Sequence, residues 1–250
     1  NLYNPFSLFG KSILITGASS GIGKAIALEC SKMGASVIIL GRDKKRLLET
    51  FSQLIPNINN KYFLVDISCE DQINSLIDKI ESIDGMVNAA GILIRGPFKF
   101  IKEVDLDETI NVNFKAPTLF VKKLISKNKI KNGSSIVFIS SISGSYCSFI
   151  GNSVYSASKG ALNAMAKSMA IELSNKKIRV NTIHPGMVST NMHLEKSFDQ
   201  EDLIKDLDNY PLKRYGEPVD VAYGTIFLLS NASSWITGSS LLIDGGYTLK

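Results

Sequence analysis

Short apolar segments alternate with helical patterns along almost the whole chain. Seven of these segments have the length and composition of strands, at 12–16, 36–40, 62–65, 85–88, 135–140, 179–183 and 240–243. Helical periodicity lies between most of them, at 24–33, 44–54, 69–80, 106–127, 154–173 and 219–229. Such alternation favours parallel strands joined by helices that cover both faces of one sheet. We therefore expect an α/β fold with a doubly wound, seven-stranded parallel sheet.

The length of the chain bounds its domain organisation. Its 250 residues fit one large domain spanning 1–250, and no internal repeat or linker divides them. The stretch 186–215 interrupts the alternation with a polar segment that contains methionines. An insertion of this length in a compact domain is often a lid over a binding site. A surface segment that packs on a neighbouring subunit is the alternative.

A glycine-rich turn follows the first predicted strand and opens the first predicted helix. Residues 16–23 read Thr-Gly-Ala-Ser-Ser-Gly-Ile-Gly. Gly17 permits a tight turn, whereas Gly21 and Gly23 let backbone and helix approach a pyrophosphate closely. The N-terminus of the helix favours the negative charge of such a group. The context predicts a Rossmann-type dinucleotide site, and a glycine-rich turn without a ligand is the alternative.

A tyrosine and a lysine, Tyr155 and Lys159, are four positions apart within a predicted helix. Residues at this spacing lie on one face of a helix, so their polar ends can converge. A phenol has an ordinary pKa near ~10, and a nearby ammonium group favours the phenolate and lowers that pKa. The pair can therefore act as a general acid or base on an alcohol or a carbonyl group.

The glycine-rich turn and the Tyr155/Lys159 pair occur together with several other short motifs between residues 11 and 247. The others are Asn88-Ala89-Ala90-Gly91 after the fourth strand, Asn113 in a helix, Ser141 after the fifth strand, Pro185-Gly186 after the sixth, and Gly238 with Asp244-Gly245-Gly246 near the end. In this order and spacing the chain resembles the short-chain dehydrogenase/reductase family, in its branch of compact single-domain enzymes. Within that family it looks most like the 3-oxoacyl-acyl-carrier-protein reductase type.

The resemblance implies four catalytic residues: Asn113, Ser141, Tyr155 and Lys159. Tyr155 exchanges a proton with the substrate oxygen as hydride moves to or from the nicotinamide. Lys159 lowers the pKa of that phenol and hydrogen-bonds the nicotinamide ribose. Ser141 orients the substrate oxygen and stabilises its developing charge, as an oxyanion donor does. Asn113 helps to hold a water that links Lys159 to solvent.

Two of these positions have neighbours of the same residue type. Ser141 fits the family position one residue beyond the strand, so Ser140 is expected to satisfy backbone groups at the strand end. Asn113, followed by 114–116, fits the family pattern better than Asn111, for which a solvated helix position is the alternative.

The resemblance also places a nicotinamide dinucleotide along the glycine turn and the strand ends. The implied contacts are Gly17, Ser19, Ser20, Gly21, Ile22, Gly23, Arg42, Asp66, Ile67, Asn88, Ala89, Ala90, Gly91, Tyr155, Lys159, Pro185, Gly186, Val188 and Thr190. Asp66 would accept a hydrogen bond from the adenine amino group, and a helix N-cap is its alternative role. A second candidate for that cap is Ser68.

The end of the second strand bears on the choice between NAD and NADP. Gly41 and Arg42 stand where NAD-preferring members carry an acidic residue. Because a guanidinium group suits a 2′-phosphate, NADP (NADPH) is favoured over NAD. Asp43 is expected to cap the following helix. Ser20 stands where many NADP-dependent members carry a basic residue.

The substrate is expected to be a small molecule with a carbonyl or alcohol group. Candidate pocket residues are Ile92, Ser143, Phe149, Ile150, Met187 and Met192. They are mostly apolar, which favours a hydrophobic substrate, with ordinary core and lid packing as the alternative. Arg95 either faces an anionic substrate or lies on the surface, the second being the simpler interpretation.

The family resemblance leaves several functions open. A 3-oxoacyl thioester delivered by an acyl-carrier protein is one, with Lys131 and Lys176 as basic residues for docking. Asn132 stands where a second arginine is often found, which weakens that interpretation. A reductase or dehydrogenase of a sugar, steroid or polyol is the alternative. A non-enzymatic NADP-binding regulator on the same fold is a hypothesis of a different class.

Composition limits the other partners. The formal charge is +5 and the lysines are scattered, so no nucleic-acid partner is expected. No apolar run of about 18 residues is present, so no membrane segment is expected. Cys30, Cys69 and Cys147 have neither metal-ligand nor disulfide spacing, which favours a metal-free protein of the cytoplasm. Cys30 is expected to be a small buried side chain.

Family members commonly form tetramers through their fourth and fifth helices and their last strand. The resemblance therefore implies a homotetramer. Apolar residues on these elements fit such contacts, although core packing explains them equally: Leu119, Phe120, Met165, Met169 and Leu241.

Overall fold

The computed structural model of the chain describes residues 3–190 and 206–249. Its strands are β1 Ser12–Thr16, β2 Ser36–Gly41, β3 Lys61–Leu64, β4 Ile83–Asn88, β5 Ile130–Ile139, β6 Arg179–Pro185 and β7 Ser240–Ile243. They form one sheet in the order β3-β2-β1-β4-β5-β6-β7, and every neighbouring pair is parallel. The predicted doubly wound α/β fold is therefore confirmed.

Helices cover both faces of this sheet. They include the α-helices α1 Gly21–Lys32, α2 Lys44–Ser52, α3 Glu70–Lys79, α4 Glu103–Ile110, α5 Ala116–Ser126, α6 Ser153–Glu172 and α7 Pro218–Leu229. Successive side chains of a strand point to opposite faces. Accordingly Ile13 and Ile15 of β1 pack with α1, α2 and α7, whereas Leu14 packs with α3, α5 and α6. The sheet thus separates two apolar cores.

The helix predicted at 106–127 is interrupted. A π-helical segment, Asn111–Lys115, separates α4 from α5. Pro117 stands in the first turn of α5 and has no N–H group. In an unbroken α-helix that N–H would donate to the Asn113 carbonyl, so the regular hydrogen-bond pattern is interrupted here. The wider turn places Asn113 in a fully buried position. A local change of helix type, not visible in the apolar periodicity, therefore positions one of the predicted catalytic residues.

The ends of the segment 186–215 are held together. The backbone N–H of Ser189 donates to the Gly216 carbonyl at 2.9 Å, and that of Gly216 donates to the Met187 carbonyl at 2.9 Å. The segment therefore leaves the sheet and returns to it at one place, beside the carboxyl end of β6. Residues 191–205, which include Met192, lie outside the described residues.

Three further expectations concern membrane-spanning helices, contacts between subunits and the burial of Cys30. Within 3–190 and 206–249, no helix has the length and hydropathy needed to cross a bilayer. Phe120 is fully buried in the core, so it is not available for contacts between subunits, whereas Leu119 beside it is 47% exposed. Cys30 is buried as predicted.

Candidate active site

The carboxyl ends of β1 to β6 open into a cavity of about 960 Å³. The sheet order reverses between β1 and β4, and ligands of open α/β sheets bind outside the strand ends at such a switch point. All but three of the catalytic, cofactor and substrate residues predicted from the sequence line this cavity. Asn88 and Asn113 lie behind its wall, and Met192 is outside the described part of the chain.

The glycine turn forms one end of the cavity. Gly17 has φ +66°, and a Cβ on it would lie 2.8 Å from the backbone nitrogen of Ala90. A Cβ on Gly23 would collide with the Gly17 carbonyl. The Thr16 hydroxyl accepts hydrogen bonds from the backbone of Ala89 and Ala90 at 3.1 and 3.2 Å. The turn is thus packed against the segment after β4, and side chains would fill its cradle.

The N-terminus of α1 faces the same end. Ser20 is its N-cap, but the Ser20 side chain makes no capping hydrogen bond, and the first turn of α1 holds no acidic residue. The first N–H groups of a helix and its dipole attract anions when no carboxylate competes for them. The arrangement fits the pyrophosphate of a dinucleotide.

Two arginines follow β2 and line the cavity, Arg42 and Arg46. The Arg42 guanidinium lies 3.5 Å from a carboxylate oxygen of Asp66, and Arg46 lies 3.6 Å from Asp43. Asp43 caps α2 as predicted, since it accepts from the backbone N–H of Arg46 at 3.0 Å. The cofactor contacts predicted from the sequence do not include Arg46, which the structure places at the cavity.

Neither of the two residues considered as the N-cap of α3 has that position. The N-cap of α3 is Cys69, whereas Asp66 accepts from the backbone N–H of Ser68 at 2.9 Å. Burial pushes the pKa of Asp66 upward, but hydrogen bonds from Ser68 and the charge of Arg42 outweigh it, so the pKa lies below its ordinary value. Asp66 is therefore a carboxylate at the cavity wall, available as an acceptor.

Tyr155 and Lys159 lie near the start of α6 and both line the cavity. The Lys159 ammonium donates to the Ile139 carbonyl at 2.9 Å and lies 5.8 Å from the centre of the Tyr155 ring. Burial lowers the pKa of Lys159 to about 8. Burial also raises the pKa of Tyr155, although a hydrogen bond with Ser141 and the charge of Arg95 act in the opposite direction.

The expected lowering of the Tyr155 pKa by Lys159 is thus wrong for this arrangement. The ammonium is directed at a backbone carbonyl, and desolvation of the phenol has the larger effect. A raised pKa keeps Tyr155 protonated at neutral pH. In this state the residue is able to donate a proton.

Asn113 is held behind Lys159 by its amide group. Its Oδ1 accepts from the backbone N–H of Ile92 at 2.8 Å, and its Nδ2 donates to the Ile92 carbonyl at 2.9 Å and to the Ser158 hydroxyl at 3.1 Å. A Cβ on Gly91 would lie 3.2 Å from Asn113 Oδ1 and 3.4 Å from Lys159 Nζ. Asn113 therefore fixes the segment after β4 close to the lysine.

Asn88 at the end of β4 is 3% exposed. Neither its Oδ1 nor its Nδ2 has a hydrogen-bond partner among the described residues. A buried amide without partners is costly, and such groups are often satisfied by a ligand or an ordered water. This orphaned amide is consistent with a polar ligand beside the nucleotide end, although Asn88 does not itself line the cavity.

Ser141 is positioned by a histidine that sequence reasoning missed. His184 of β6 is fully buried, and its Nδ1 lies 2.8 Å from the Ser141 carbonyl oxygen. Because a carbonyl only accepts, Nδ1 carries the proton, and Nε2 accepts from the Thr182 hydroxyl at 2.8 Å. Burial lowers the pKa of His184, so the ring is neutral at pH 7. A polar residue inside a buried strand is a signal in the sequence, but His184 shares it with Asn181 and Thr182 of β6.

The other serines beside Ser141 have partners of their own. The Ser140 hydroxyl donates to the Lys159 carbonyl at 3.0 Å, which agrees with its expected role toward backbone. Ser143 is 1% exposed, and its hydroxyl lies 2.6 Å from that of Ser156. Its backbone N–H donates to the Ser141 hydroxyl at 3.1 Å.

The end of the cavity beyond Tyr155 is partly apolar and partly polar. The predicted residues Ile92, Ser143, Phe149, Ile150 and Met187 line it. Sequence reasoning did not identify Tyr210 and Tyr247, whose ring centres are 4.9 Å apart, or Asn152. Arg95 also lines the cavity and is half-buried, so its interpretation as a surface residue is wrong.

The basic residues considered for carrier-protein docking lie elsewhere. Lys131 stands near the start of β5, at the amino ends of the strands and therefore opposite the cavity, and it forms an ion pair with Asp84 at 2.8 Å. Lys176 follows the far end of α6, about 20 Å along the helix axis from Lys159. Neither borders the cavity mouth within this chain. In the part of the chain that the structure describes, no cluster of metal-ligating side chains occurs.

Known proteins of the same architecture match nearly the full chain. Residues 17–248 match the family described as enoyl-(acyl carrier protein) reductase. The 3-oxoacyl-[acyl-carrier-protein] reductase FabG of Rickettsia typhi is 37% identical over 240 residues, which are 95% of this chain and 96% of that protein. The L-xylulose reductase of Caenorhabditis elegans is 36% identical over 245 residues, with coverage of 95% and 96%.

A solved structure shows the same likeness. A dehydrogenase/reductase from Sinorhizobium meliloti 1021 superposes with a TM-score of 0.87 at 30% identity, and 97% of each chain is covered.

Proposed function

This chain is an oxidoreductase of the short-chain dehydrogenase/reductase family, and on that premise we propose that it transfers hydride between NADP(H) and a carbonyl or alcohol substrate. The observation that carries the proposal is one cavity shared by the glycine turn, Ser141, Tyr155 and Lys159. A regulator that only binds a nucleotide has no need of the last three residues.

The cofactor, when bound, supplies or accepts the hydride. In the reducing direction Tyr155 donates its proton to the substrate oxygen, because burial keeps the phenol protonated. The Ser141 hydroxyl stabilises the negative charge that develops on that oxygen. Lys159 supplies a positive charge to the same region and offers N–H donors for ribose hydroxyl groups. Asn113 holds Gly91 and Ile92 beside Lys159, and with them the wall on which the nicotinamide would rest.

The lining of the same cavity supports a proposal for the nucleotide contacts. The glycine turn and the N-terminus of α1 would hold the pyrophosphate, and Asp66 with Ile67 would contact the adenine. Ala89, Ala90 and Gly91 would contact the riboses, whereas Pro185, Gly186, Val188 and Thr190 would border the nicotinamide. Two cationic side chains, Arg42 and Arg46, support NADP rather than NAD, since a 2′-phosphate attracts both.

We propose two candidate classes of substrate. A 3-oxoacyl thioester is supported by the likeness to the FabG protein, and a sugar or polyol by the likeness to the L-xylulose reductase. An acyl-carrier protein, if it is the partner, needs a docking surface other than Lys131 and Lys176. We also propose that residues 186–215 cover the substrate, that four chains assemble through the surface that includes Leu119, and that the enzyme acts in the cytoplasm.

The test is the reduction of a panel of acetoacetyl thioesters, keto-sugars, steroids and simple ketones, with NADPH and NADH in parallel. Wild-type protein is compared with Tyr155→Phe and with Tyr223→Phe, a control tyrosine that is 58% exposed on α7. We expect Tyr155→Phe to lower kcat by about 10²- to 10⁴-fold while NADPH affinity is kept. Equal turnover by wild type and Tyr155→Phe would reject the mechanism, and a preference for NADH would reject the cofactor.

A further inference from the structure

Asn152 is a buried polar residue on the substrate side of the cavity, and it has no part in the proton transfer described above. It immediately precedes α6 and is 5% exposed. It lines the cavity together with Ser141 and Tyr155. Its amide group therefore borders the volume in which the substrate of the proposed function would lie.

The backbone fixes Asn152 relative to Tyr155. The Asn152 carbonyl accepts from the N–H of Ser156 at 2.7 Å, so Asn152 is joined to the first turn of α6. Residues three apart in a helix lie on one face, with their Cβ atoms about 5–6 Å apart. Gly151, the preceding residue, is held as well, since its carbonyl accepts from the N–H of Gly96 at 3.0 Å. Asn152 is thus fixed on the side of α6 that carries Tyr155.

The side-chain oxygen of Asn152 has no hydrogen-bond partner. Asn152 is the N-cap residue of α6, a position at which asparagine commonly accepts from the helix backbone, but its side chain makes no such bond. Its buried Oδ1 has no partner among the described residues. An unpaired buried acceptor is unfavourable, so this oxygen is suited to a donor that arrives with a ligand.

Two hydroxyl groups on the same side of the cavity already have partners in the protein. The Ser143 hydroxyl lies 2.6 Å from that of Ser156, and the Tyr210 hydroxyl accepts from the backbone N–H of Met187 at 3.3 Å. Asn152 differs from both because the fold leaves its amide oxygen unpaired.

Three aromatic rings form an apolar wall on this side of the cavity. The ring centres of Phe149 and Tyr247 are 5.8 Å apart, those of Tyr247 and Tyr210 are 4.9 Å apart, and all three residues line the cavity. A pocket that combines aromatic area with a few polar groups uses those polar groups to orient its ligand. Asn152 is thus placed to orient a small molecule whose carbon atoms pack against the rings.

We propose, on the basis of the proposed function, that the substrate is a hydroxyketone and that Asn152 binds the hydroxyl group on the carbon next to the reacting carbonyl. This hydroxyl donates to Asn152 Oδ1, while Ser141 and Tyr155 bind the carbonyl oxygen. In the reducing direction NADPH gives its hydride to the carbonyl carbon and Tyr155 gives its proton to the carbonyl oxygen. The product is a vicinal diol, and the hydroxyl bound by Asn152 keeps its proton throughout.

The proposal favours the sugar or polyol class over the 3-oxoacyl thioester. The ketone and thioester oxygens of a 3-oxoacyl thioester are carbonyl oxygens, which only accept hydrogen bonds. Such a substrate would leave Asn152 Oδ1 unpaired, which is unfavourable. A hydroxyl group both donates and accepts, so it supplies the donor that this oxygen lacks.

Pairs of isosteric ketones test the role of Asn152. A methyl group replaces the hydroxyl of 3-hydroxybutan-2-one in 3-methylbutan-2-one, and pentan-3-one relates to dihydroxyacetone in the same way. Wild type, Asn152→Leu and Asn152→Asp are assayed with both pairs and with an acetoacetyl thioester. We expect Asn152→Leu to lower kcat/KM for the hydroxyketones by about tenfold and for their methyl counterparts by less than about threefold. Asn152→Asp, which keeps an acceptor oxygen, should retain most of the preference for hydroxyketones.

Asn175→Leu is the matched control, because Asn175 is exposed beyond the far end of α6. It should change none of these rates. Equal losses in Asn152→Leu on both members of each pair would overturn the proposal, since Asn152 would then only support the start of α6. Unchanged rates, or a larger loss on the thioester than on the hydroxyketones, would overturn it as well. NADPH affinity reveals a folding defect in any variant, and Asn152→Ala replaces Asn152→Leu if the latter does not fold.

Failure of the proposed function has a different signature, namely no turnover by wild type with any substrate. In that case ligand-observed NMR decides on the role of Asn152, with dihydroxyacetone and pentan-3-one added separately to the protein in the presence of NADP. Binding of dihydroxyacetone by wild type that is lost in Asn152→Leu supports a hydroxyl site. Equal binding by both proteins, or binding of pentan-3-one alone or of neither ketone, would reject it.

Discussion

The two halves of the cavity are built in different ways. The nucleotide half consists of residues 16–23, 41–46 and 65–67, and its shape depends on backbone: glycines that cannot carry a side chain and a helix N-terminus without a capping bond. The substrate half is formed by lining residues within the ranges 92–95, 140–155 and 206–210, and its properties depend on side chains such as Arg95, Asn152 and Tyr210.

This difference explains why the nucleotide half is easier to predict from a sequence than the substrate half. A backbone requirement restricts a position to one or two residue types at a fixed spacing, so it produces a recognisable motif. A side-chain requirement is met by many combinations, and it depends on segments that the fold brings together from distant parts of the chain. The predictions that follow test whether the halves are as separate as this comparison suggests.

The largest expected effect on NADPH binding comes from a change in the nucleotide half, at Gly17. In Gly17→Ala the new Cβ would lie 2.8 Å from Ala90, at a residue with φ +66°. We expect NADPH to bind about 100-fold more weakly, measured by fluorescence titration, because the turn and the segment after β4 must move apart.

Gly10→Ala is the matched control for this change. Gly10 has a similar φ, +76°, but a Cβ on it would meet nothing within 4 Å. It should cost about 1 kcal/mol of stability and leave NADPH affinity unchanged. If the two variants bound NADPH equally well, close packing of the turn would not be what shapes the nucleotide site.

The sequence was sufficient for the fold and for the motif residues. The seven strands of the described sheet were predicted, because each contains a short run rich in apolar residues, although the start of β5 at Ile130 was placed five residues too late. Tyr155 and Lys159 were found through helical spacing. The break between α4 and α5 was missed, since apolar periodicity does not distinguish a π-helical turn from an α-helical one. The direction of the shift in the Tyr155 pKa was also missed. Spacing predicts that Lys159 is close to Tyr155, but it predicts neither the burial of the phenol nor the hydrogen bond from the Lys159 ammonium to the Ile139 carbonyl.

The next effect concerns Lys159, which serves both halves. Its pKa of about 8 lies below the ordinary value of 10.5, so the ammonium is lost as pH rises through about 8. If the charge supports hydride and proton transfer, kcat/KM should fall about tenfold per pH unit above this value. A limb near pH 8 cannot belong to Tyr155, whose pKa is raised.

The stability of the protein should change in the opposite direction. Between pH 8 and pH 10.5 the unfolded chain binds the proton of Lys159 more tightly than the folded protein does, so this group makes stability rise with pH. In Lys159→Met, activity should be low at every pH, and stability should lose the rise between pH 8 and pH 10.5.

If kcat/KM of the wild type did not change between pH 8 and pH 10.5, the charge of Lys159 would not be required for the reaction.

The smallest expected effect concerns His184, which lies on the substrate half behind Ser141. In His184→Leu the Ser141 carbonyl loses its 2.8 Å hydrogen bond, and kcat should fall about tenfold with NADPH affinity unchanged. His184→Gln, which offers an N–H donor, should recover part of the rate. The decisive measurement is the same substitution in a Ser141→Ala background. If His184 acts by positioning Ser141, its loss should then cost little more; an unchanged tenfold loss would mean that it supports the site by another route, through Thr182 and the carboxyl end of β6.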